Sequence, residues 1–156
     1  MPMLIALALA VLGGHQGKPA LAPACAHRAR VILEATRVEP FRAKNGARSC
    51  RLSGPKGEAL VHLDSAPQPY TRMEREQVEF WQNVEWSHEA ARAAPYPITS
   101  LGLGAYWFPL QHRLLTTDGV RLITVKLRLQ DRATSKRLAD RLAQVYLGPP
   151  HKPPGY

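Results

Sequence analysis

Apolar residues recur along the chain with two different periods, and the change of period predicts the order of the elements. Three segments repeat apolar residues at helical spacing and are typical of amphipathic helices: residues 26–36, 71–93 and 134–148. Thr71 and Glu74 match a capping box at the start of the second helix. Prolines follow each helix and predict where it ends.

Between the helices, the pattern changes to the alternation of strands. Residues 49–53 and 59–64 flank a Gly-Pro-Lys-Gly turn and predict a hairpin. A second hairpin is predicted at Asp118-Gly119, a pair typical of a type I′ turn. After that turn, Ile123 to Leu129 alternate apolar residues with Thr124, Lys126 and Arg128, which predicts a half-buried antiparallel strand with a basic outer face.

The order helix, strands, helix, strands, helix predicts an α+β fold, in which one antiparallel sheet is covered by about three helices. Helix-then-strands occurs twice, so a degenerate duplication is a further prediction. We assign residues 1–24 to a signal or targeting segment, residues 25–148 to a single α+β domain and residues 149–156 to a flexible tail.

The N-terminus predicts export. Residues 3–12 are apolar, a length that suits the core of a signal peptide and is too short to span a bilayer. Small residues for a cleavage enzyme follow at Ala20-Leu21-Ala22, although no Lys or Arg precedes the apolar run. We therefore expect a periplasmic or extracellular location. The alternative is a cytoplasmic protein in which this run is a buried first element.

The only two cysteines are Cys25 and Cys50. In an exported chain an even number indicates a disulfide, and closing this loop would stabilise the fold by about 3–4 kcal/mol. A competing interpretation is that "LAPAC" is a lipoprotein processing site with Cys25 as the lipidated residue. Neither cysteine has a second Cys or a His at ligand spacing, so we predict no metal site and no cofactor.

The charge of the chain favours anionic partners. The formal net charge is +9 and the pI about 10.1, a balance that attracts nucleic acid, anionic lipid or acidic glycans. Lys126, Arg128, Arg137 and Arg141 are the candidate contacts. No run of Lys and Arg alone occurs, which argues against a nucleic-acid arm. The plainer interpretation is a solvated basic surface.

Gly102 and Gly104 have the spacing that opens some phosphate loops. The third glycine of a dinucleotide fingerprint is replaced by Trp107, and a strand pattern follows, so we expect the glycines to serve backbone geometry. Tyr106 and Trp107 point to opposite faces of that strand. One should be core, and the other could contact a sugar or a partner protein. The alternative is that both are packed under helices.

His62 and Asp64 place an imidazole and a carboxylate on one strand face, as in half of a catalytic dyad. No G-x-S-x-G nucleophile accompanies them, and His88-Glu89 lacks the second His of a zinc-protease motif. A hydrolase with His62 and Asp64 as a general-base pair is therefore the alternative to a non-enzymatic domain.

Five segments together resemble a group of small exported bacterial proteins and lipoproteins of unknown function: "ACAHRARVILEAT", "SCRL", "ITSLGLGAYWF", "VRLITVKL" and "KRLADRLAQVYL". The resemblance implies export and a Cys25–Cys50 bridge, and it brings no catalytic residues. We therefore expect a non-enzymatic envelope domain that binds a protein, a glycan or an anionic surface. Membrane association would come only through a signal or lipid anchor.

Overall fold

A seven-stranded antiparallel sheet organises the described chain, as the α+β prediction requires. The computed structural model describes residues 24–65, 68–83 and 95–151. Its elements in chain order are α1 (His27–Leu33), β1 (Arg37–Arg42), β2 (Arg48–Gly54), β3 (Gly57–Asp64), α2 (Pro69–Asn83), β4 (Tyr96–Ile98), β5 (Ala105–Phe108), β6 (Arg113–Thr117), β7 (Leu122–Leu129), a 3₁₀ turn (Arg132–Thr134) and α3 (Ser135–Tyr146).

The strand order is β1-β2-β3-β7-β6-β5-β4, so the sheet consists of two meanders that meet at its centre. Strands β1 to β3 form the first meander and β4 to β7 the second. The last strands of the two, β3 and β7, pair over their whole length from Gly57↔Leu129 to Asp64↔Leu122. Among the described strands, each central one is therefore flanked on both sides, and β1 and β4 are the edges.

Helices α1 and α3 cover one face of the sheet and enclose the main core. Along β7, Ile123, Val125 and Leu127 point into this core and are at most 2% exposed. Leu33 of α1 and Leu142 of α3 pack against them, fully buried. The period-2 pattern of the strand and the helical stripe of α3 thus meet as predicted.

Helix α2 lies on the opposite face, over a smaller core. Met73 of α2 packs with Phe108, Leu115 and Leu122, all at most 2% exposed. Because side chains alternate along a strand, Thr124, Lys126 and Arg128 of β7 share this face. The basic side of β7 therefore looks away from α1 and α3.

A disulfide joins Cys25, just before α1, to Cys50 in β2, with a Cα–Cα distance of 5.3 Å. The predicted bridge is confirmed, and the sulfur of Cys25 is in the bridge. The Tyr146 hydroxyl, at the end of α3, donates to the Ala24 carbonyl at 2.9 Å. Burial raises the pKa of Tyr146 to about 12, so the hydroxyl keeps the proton that it donates.

The β6–β7 hairpin is present, but its turn is not the type I′ turn that Asp118-Gly119 predicts. Four residues connect the strands, and of these only Gly119 has a positive φ, 92°. The turn is shaped by the Asp118 side chain, which accepts hydrogen bonds from the backbone N–H groups of Val120 and Arg121 at 3.0 and 2.9 Å. An Asp side chain that bonds to its own backbone two residues on replaces the tight turn.

Several predicted boundaries differ from the structure. Strand β1 was not predicted, because Pro40 is atypical of strands. An edge strand such as β1 tolerates proline, because one of its two sides has no neighbouring strand. Helix α2 begins at Pro69, so Thr71 lies in its first turn and the predicted capping box is wrong. The predicted continuation of this helix beyond Asn83, the apolar run of residues 3–12 and the motif at His88 lie outside the described residues.

Candidate functional site

Tyr106 and Trp107 point to opposite faces of β5, as predicted, and both contribute to packing. Trp107 is 5% exposed in the main core, where its ring meets His112 edge-on at 6.2 Å. Tyr106 is half-buried beside the smaller core. These aromatic side chains therefore support the sheet, and they do not line the grooves described below.

His62 and Asp64 share one face of β3, as predicted, and this face is the α2 side. Each of the two side chains bonds to a different partner. Asp64 accepts hydrogen bonds from the Arg72 guanidinium and from Asn45 Nδ2, the latter at 3.4 Å. His62 Nδ1 lies 2.5 Å from Ser49 Oγ. The carboxylate that would orient the imidazole in a dyad is thus in an ion pair with Arg72.

Ser49 completes a short hydrogen-bond chain rather than a nucleophilic site. It is 1% exposed, and its hydroxyl donates to the Ala47 carbonyl at 3.2 Å. Its Oγ also lies 2.5 Å from His62 Nδ1, and which of these two atoms donates depends on the tautomer of the ring. Because Ser49 is 1% exposed, its hydroxyl is not accessible to a substrate.

The surface around His62 is aromatic and charge-balanced. The Phe41 ring packs edge-on against His62 at 5.9 Å, and the Arg51 guanidinium lies 5.9 Å from the Phe41 centroid. Arg51 also lies 3.9 Å from Glu39 and 3.8 Å from Glu58. Because these charges are paired, this part of the sheet offers little net attraction to an ion.

A different arrangement exists at the end of the sheet where β7 finishes, in three grooves rich in arginine and lysine. The first, the α3 groove, has a volume of about 590 Å³ and lies between the β2–β3 turn and α3. Its lining includes Lys56 of the turn and Arg137 and Arg141 of α3. The last two are one helical turn apart, on the polar side of a helix whose Leu138 and Leu142 are buried.

The second groove, the β7 groove, lies on the other side of the β7 terminus and has a volume of about 610 Å³. Lys126 and Arg128 of β7, together with Arg132 of the 3₁₀ turn, supply its cations. The third, the α1 groove, measures about 300 Å³ and lies between α1 and α3, with Arg28 and Arg141 in its lining. All three are open to solvent and each contains at least two cations.

The grooves form a continuous series, which we call the basic track. The α1 and α3 grooves share Arg141, and the α3 and β7 grooves share Leu129 and Gln130. The lining cations of the track are Arg28, Lys56, Lys126, Arg128, Arg132, Arg137 and Arg141. The one acidic lining residue is Asp131, whose carboxylate already accepts from the Ala133 N–H at 3.1 Å.

Most of these cations have no carboxylate within 4.0 Å in the part of the chain that the structure describes. The exception is Lys56, which lies 3.3 Å from Glu34. Arg128 has Glu58 as its cross-strand neighbour, but the ion pair of Glu58 is with Arg51. Uncompensated cations in neighbouring grooves give a local positive potential that attracts anions.

Two histidines near the β7 groove have pKa values that are lowered by burial and, to a smaller extent, by neighbouring cations. Desolvation lowers the pKa of His112, which lines the groove, and the charge of Arg132 lowers it further. Desolvation likewise lowers the pKa of His62, with Lys126 adding to the effect. Both rings are therefore neutral near pH 7, and both would add positive charge in acid.

The sequence analysis predicted Lys126, Arg128, Arg137 and Arg141 as contacts for an anionic partner, but it did not assign them to separate parts of the surface. The structure places the first pair in the β7 groove and the second in the α3 groove. Arg28, Lys56 and Arg132 were missed. Each stands in a different element, and no local pattern in the sequence indicates that a helix, a turn and a 3₁₀ turn converge.

Gly102 and Gly104 lie at the start of β5, where they serve backbone geometry. Their φ angles are 59° and 150°. A Cβ at position 102 would lie 2.5 Å from the Thr117 carbonyl oxygen, so this close approach requires glycine.

The described residues bring no three His, Cys, Asp or Glu side chains together as metal ligands. Within the same ranges, no helix has the length and apolar character needed to cross a membrane. Comparisons with protein families, curated proteins and solved structures find no significant match.

Proposed function

We propose that this protein is a non-enzymatic binding domain of the cell envelope and that the basic track recognises an anionic ligand. The observation that carries the proposal is the continuity of three grooves whose cations, Lys56 apart, have no carboxylate partner among the described residues. Binding an anion would supply the missing counter-charge at little cost, because these side chains are already partly exposed.

The contacts of the candidate catalytic residues support binding over hydrolysis. A general base must reach the proton that it removes, and its orienting carboxylate must reach the base. Asp64 is held by Arg72, and His62 is held by a buried serine. The alternative of an envelope hydrolase that uses His62 and Asp64 would require both pairs to separate.

The disulfide favours an oxidising compartment, since such bonds seldom persist in the cytosol. The apolar residues 3–12 and the resemblance to small exported bacterial proteins also support export, to the periplasm or outside the cell. The cytoplasmic alternative predicts free thiols. Intact mass of the protein from its native host tests the location: we expect a processed chain with an unmodified bridge, and an unprocessed chain with two thiols would contradict export.

We further propose that the two meanders of the sheet arose by duplication, without extending this proposal to the helices that precede them. A two-fold axis normal to the sheet, between the antiparallel strands β3 and β7, would superpose one meander on the other. This rotation does not exchange the two faces of the sheet, so it would place α1 and α2 on the same face. Helices α1 and α2 lie on opposite faces. If the halves share an origin, the helices have since been placed differently.

Tripolyphosphate is a suitable probe of the proposed function, because it is small, highly charged and free of aromatic groups. We expect binding that weakens with salt and that falls by about thirtyfold in R137E/R141E, since each surface cation near an anionic partner contributes about 1 kcal/mol. The matched control is K44E/R48E, which changes the net charge equally at exposed positions of the β1–β2 hairpin, outside the track. Equal affinity of both variants for the probe would disprove recognition at the track.

A further inference from the structure

The cations of the basic track are distributed over both faces of the sheet. Lys126 and Arg128 alternate with buried residues of β7 and look toward the α2 side. Arg137 and Arg141 belong to α3, which covers the opposite side. A flat anionic ligand that contacts one pair of cations could not reach the other pair, because the sheet lies between them.

The two pairs nonetheless have similar spacing. Residues four apart on a helix have Cβ atoms about 5–6 Å apart. Residues two apart on a strand lie about 6.6 Å apart on one face. A ligand whose negative charges recur at that spacing, or at a fraction of it, could therefore contact both pairs in the same way.

The connection between the pairs passes around the terminus of β7. Leu129 and Gln130 line both adjoining grooves, and the Gln130 N–H donates to the Lys56 carbonyl at 3.2 Å, which fixes this edge of the track. Arg132 stands on the β7-groove side of this edge and Arg137 on the α3-groove side. Positive charge thus continues on both sides of the turn that a ligand would have to make.

We infer that the ligand of the basic track is a flexible linear polyanion that bends around the end of β7 and contacts the α3 and β7 grooves together. This inference rests on the proposed function and narrows it. A single phosphate would occupy one groove. A bilayer of anionic lipid would meet one face. Only a chain with repeated charges reaches both pairs at once, and joining two sites in one ligand multiplies affinity.

The test compares four labelled probes on the full chain: long-chain polyphosphate, polygalacturonate, tripolyphosphate and vesicles of phosphatidylglycerol. We expect at least one long polymer to bind roughly a hundredfold more tightly than tripolyphosphate. The variants R137E/R141E and K126E/R128E should each abolish the tighter binding of the long polymer, whereas K44E/R48E should keep it. Each of the two groove variants should also lower the magnitude of the slope of log affinity against log salt by about 1.4 to 1.8. Which polymer wins distinguishes a phosphate chain from an acidic polysaccharide.

Either of two affinity comparisons would overturn the inference while leaving anion recognition in place: tripolyphosphate binding as tightly as the better polymer, or vesicles binding more tightly than both polymers. Loss of binding in only one of the two groove variants would overturn it as well. Failure of every probe to bind would remove the proposed function itself. Neutral variants, R137Q/R141Q and K126Q/R128Q, with unchanged melting temperatures exclude misfolding as the cause of a loss.

Discussion

At the scale of single residues, Asp118 and His62 are titratable groups whose surroundings link the stability of the fold to pH. Asp118 is 2% exposed, and its carboxylate accepts four hydrogen bonds, from Val120, from Arg121 twice and from Gly148. The Asp118 carbonyl accepts from the His151 N–H at 2.7 Å. This one residue therefore connects the β6–β7 turn to the segment after α3.

The variant Asp118→Asn should lose about 2–3 kcal/mol in the free energy of unfolding. The amide nitrogen that replaces Oδ2 cannot accept the hydrogen bonds that Arg121 and Gly148 donate to that atom. Burial alone would raise the pKa of Asp118, but the hydrogen bonds outweigh it and hold the pKa below its usual value. The stability that Asp118 gives is present above the unfolded-state pKa and is lost as pH falls through the folded-state pKa. Urea unfolding should thus show weaker acid sensitivity below about pH 4 in the variant. A variant as stable as wild type would contradict this role.

His62 gives a second acid response, nearer to neutral pH. Because its pKa in the folded state is lowered from 6.5, the unfolded state takes up protons first as the pH falls. The free energy of unfolding should therefore decrease from about pH 7 to about pH 5, and His62→Gln should show a smaller decrease. His112 supplies a similar contribution and remains in the variant. An identical pH profile in both proteins would rule out His62 as a source.

At the scale of elements, residue patterns predicted those parts of the fold that depend on local sequence. The alternation of β7 and the stripe of α3 both gave the observed buried faces. Pro40 concealed β1, since proline is compatible with a strand only at an edge, and edge position depends on the whole sheet. The Asp118 turn was predicted wrongly because the Asp118 side chain accepts from the backbone N–H groups of Val120 and Arg121, and it also accepts from the distant Gly148 N–H.

The candidate site was predictable in composition but not in arrangement. Four of its cations stand out as polar positions of amphipathic elements. Their convergence with Lys56 and Arg28 depends on the pairing of β3 with β7 and on the packing of α1 against the sheet, and both are long-range. The same long-range order separates Lys126 from Arg137 by the thickness of the sheet, which the sequence does not indicate.

The link between α1 and β2 offers a test at this scale. Replacing both Cys25 and Cys50 by alanine opens a loop with a sequence separation of 25 residues, so the free energy of unfolding should fall by about 3–4 kcal/mol. Reduction of the wild-type protein should produce a similar fall and provides the control. If unfolding were insensitive to reductant, the bridge would have no part in stabilising the fold.

At the scale of the whole molecule, charge is distributed unevenly over the sheet, which α1 and α3 cover on one face and α2 covers on the other. Around Phe41, the charges of Arg51 are matched by Glu39 and Glu58. At the end of β7, cations from α1, the β2–β3 turn, β7 and α3 face solvent with one acid among them. The described residues thus concentrate positive charge where it can act on a ligand.

Mapping of amide chemical shifts during a titration with long-chain polyphosphate tests this account most directly. We expect changes in two groups of residues, around Lys126 and Arg128 and around Arg137 and Arg141, which saturate together at one ligand concentration. Signals of Phe41 and Ser49, on the charge-balanced part of the sheet, should stay unchanged. Changes centred on Phe41 and His62, or changes confined to a single groove, would contradict the account.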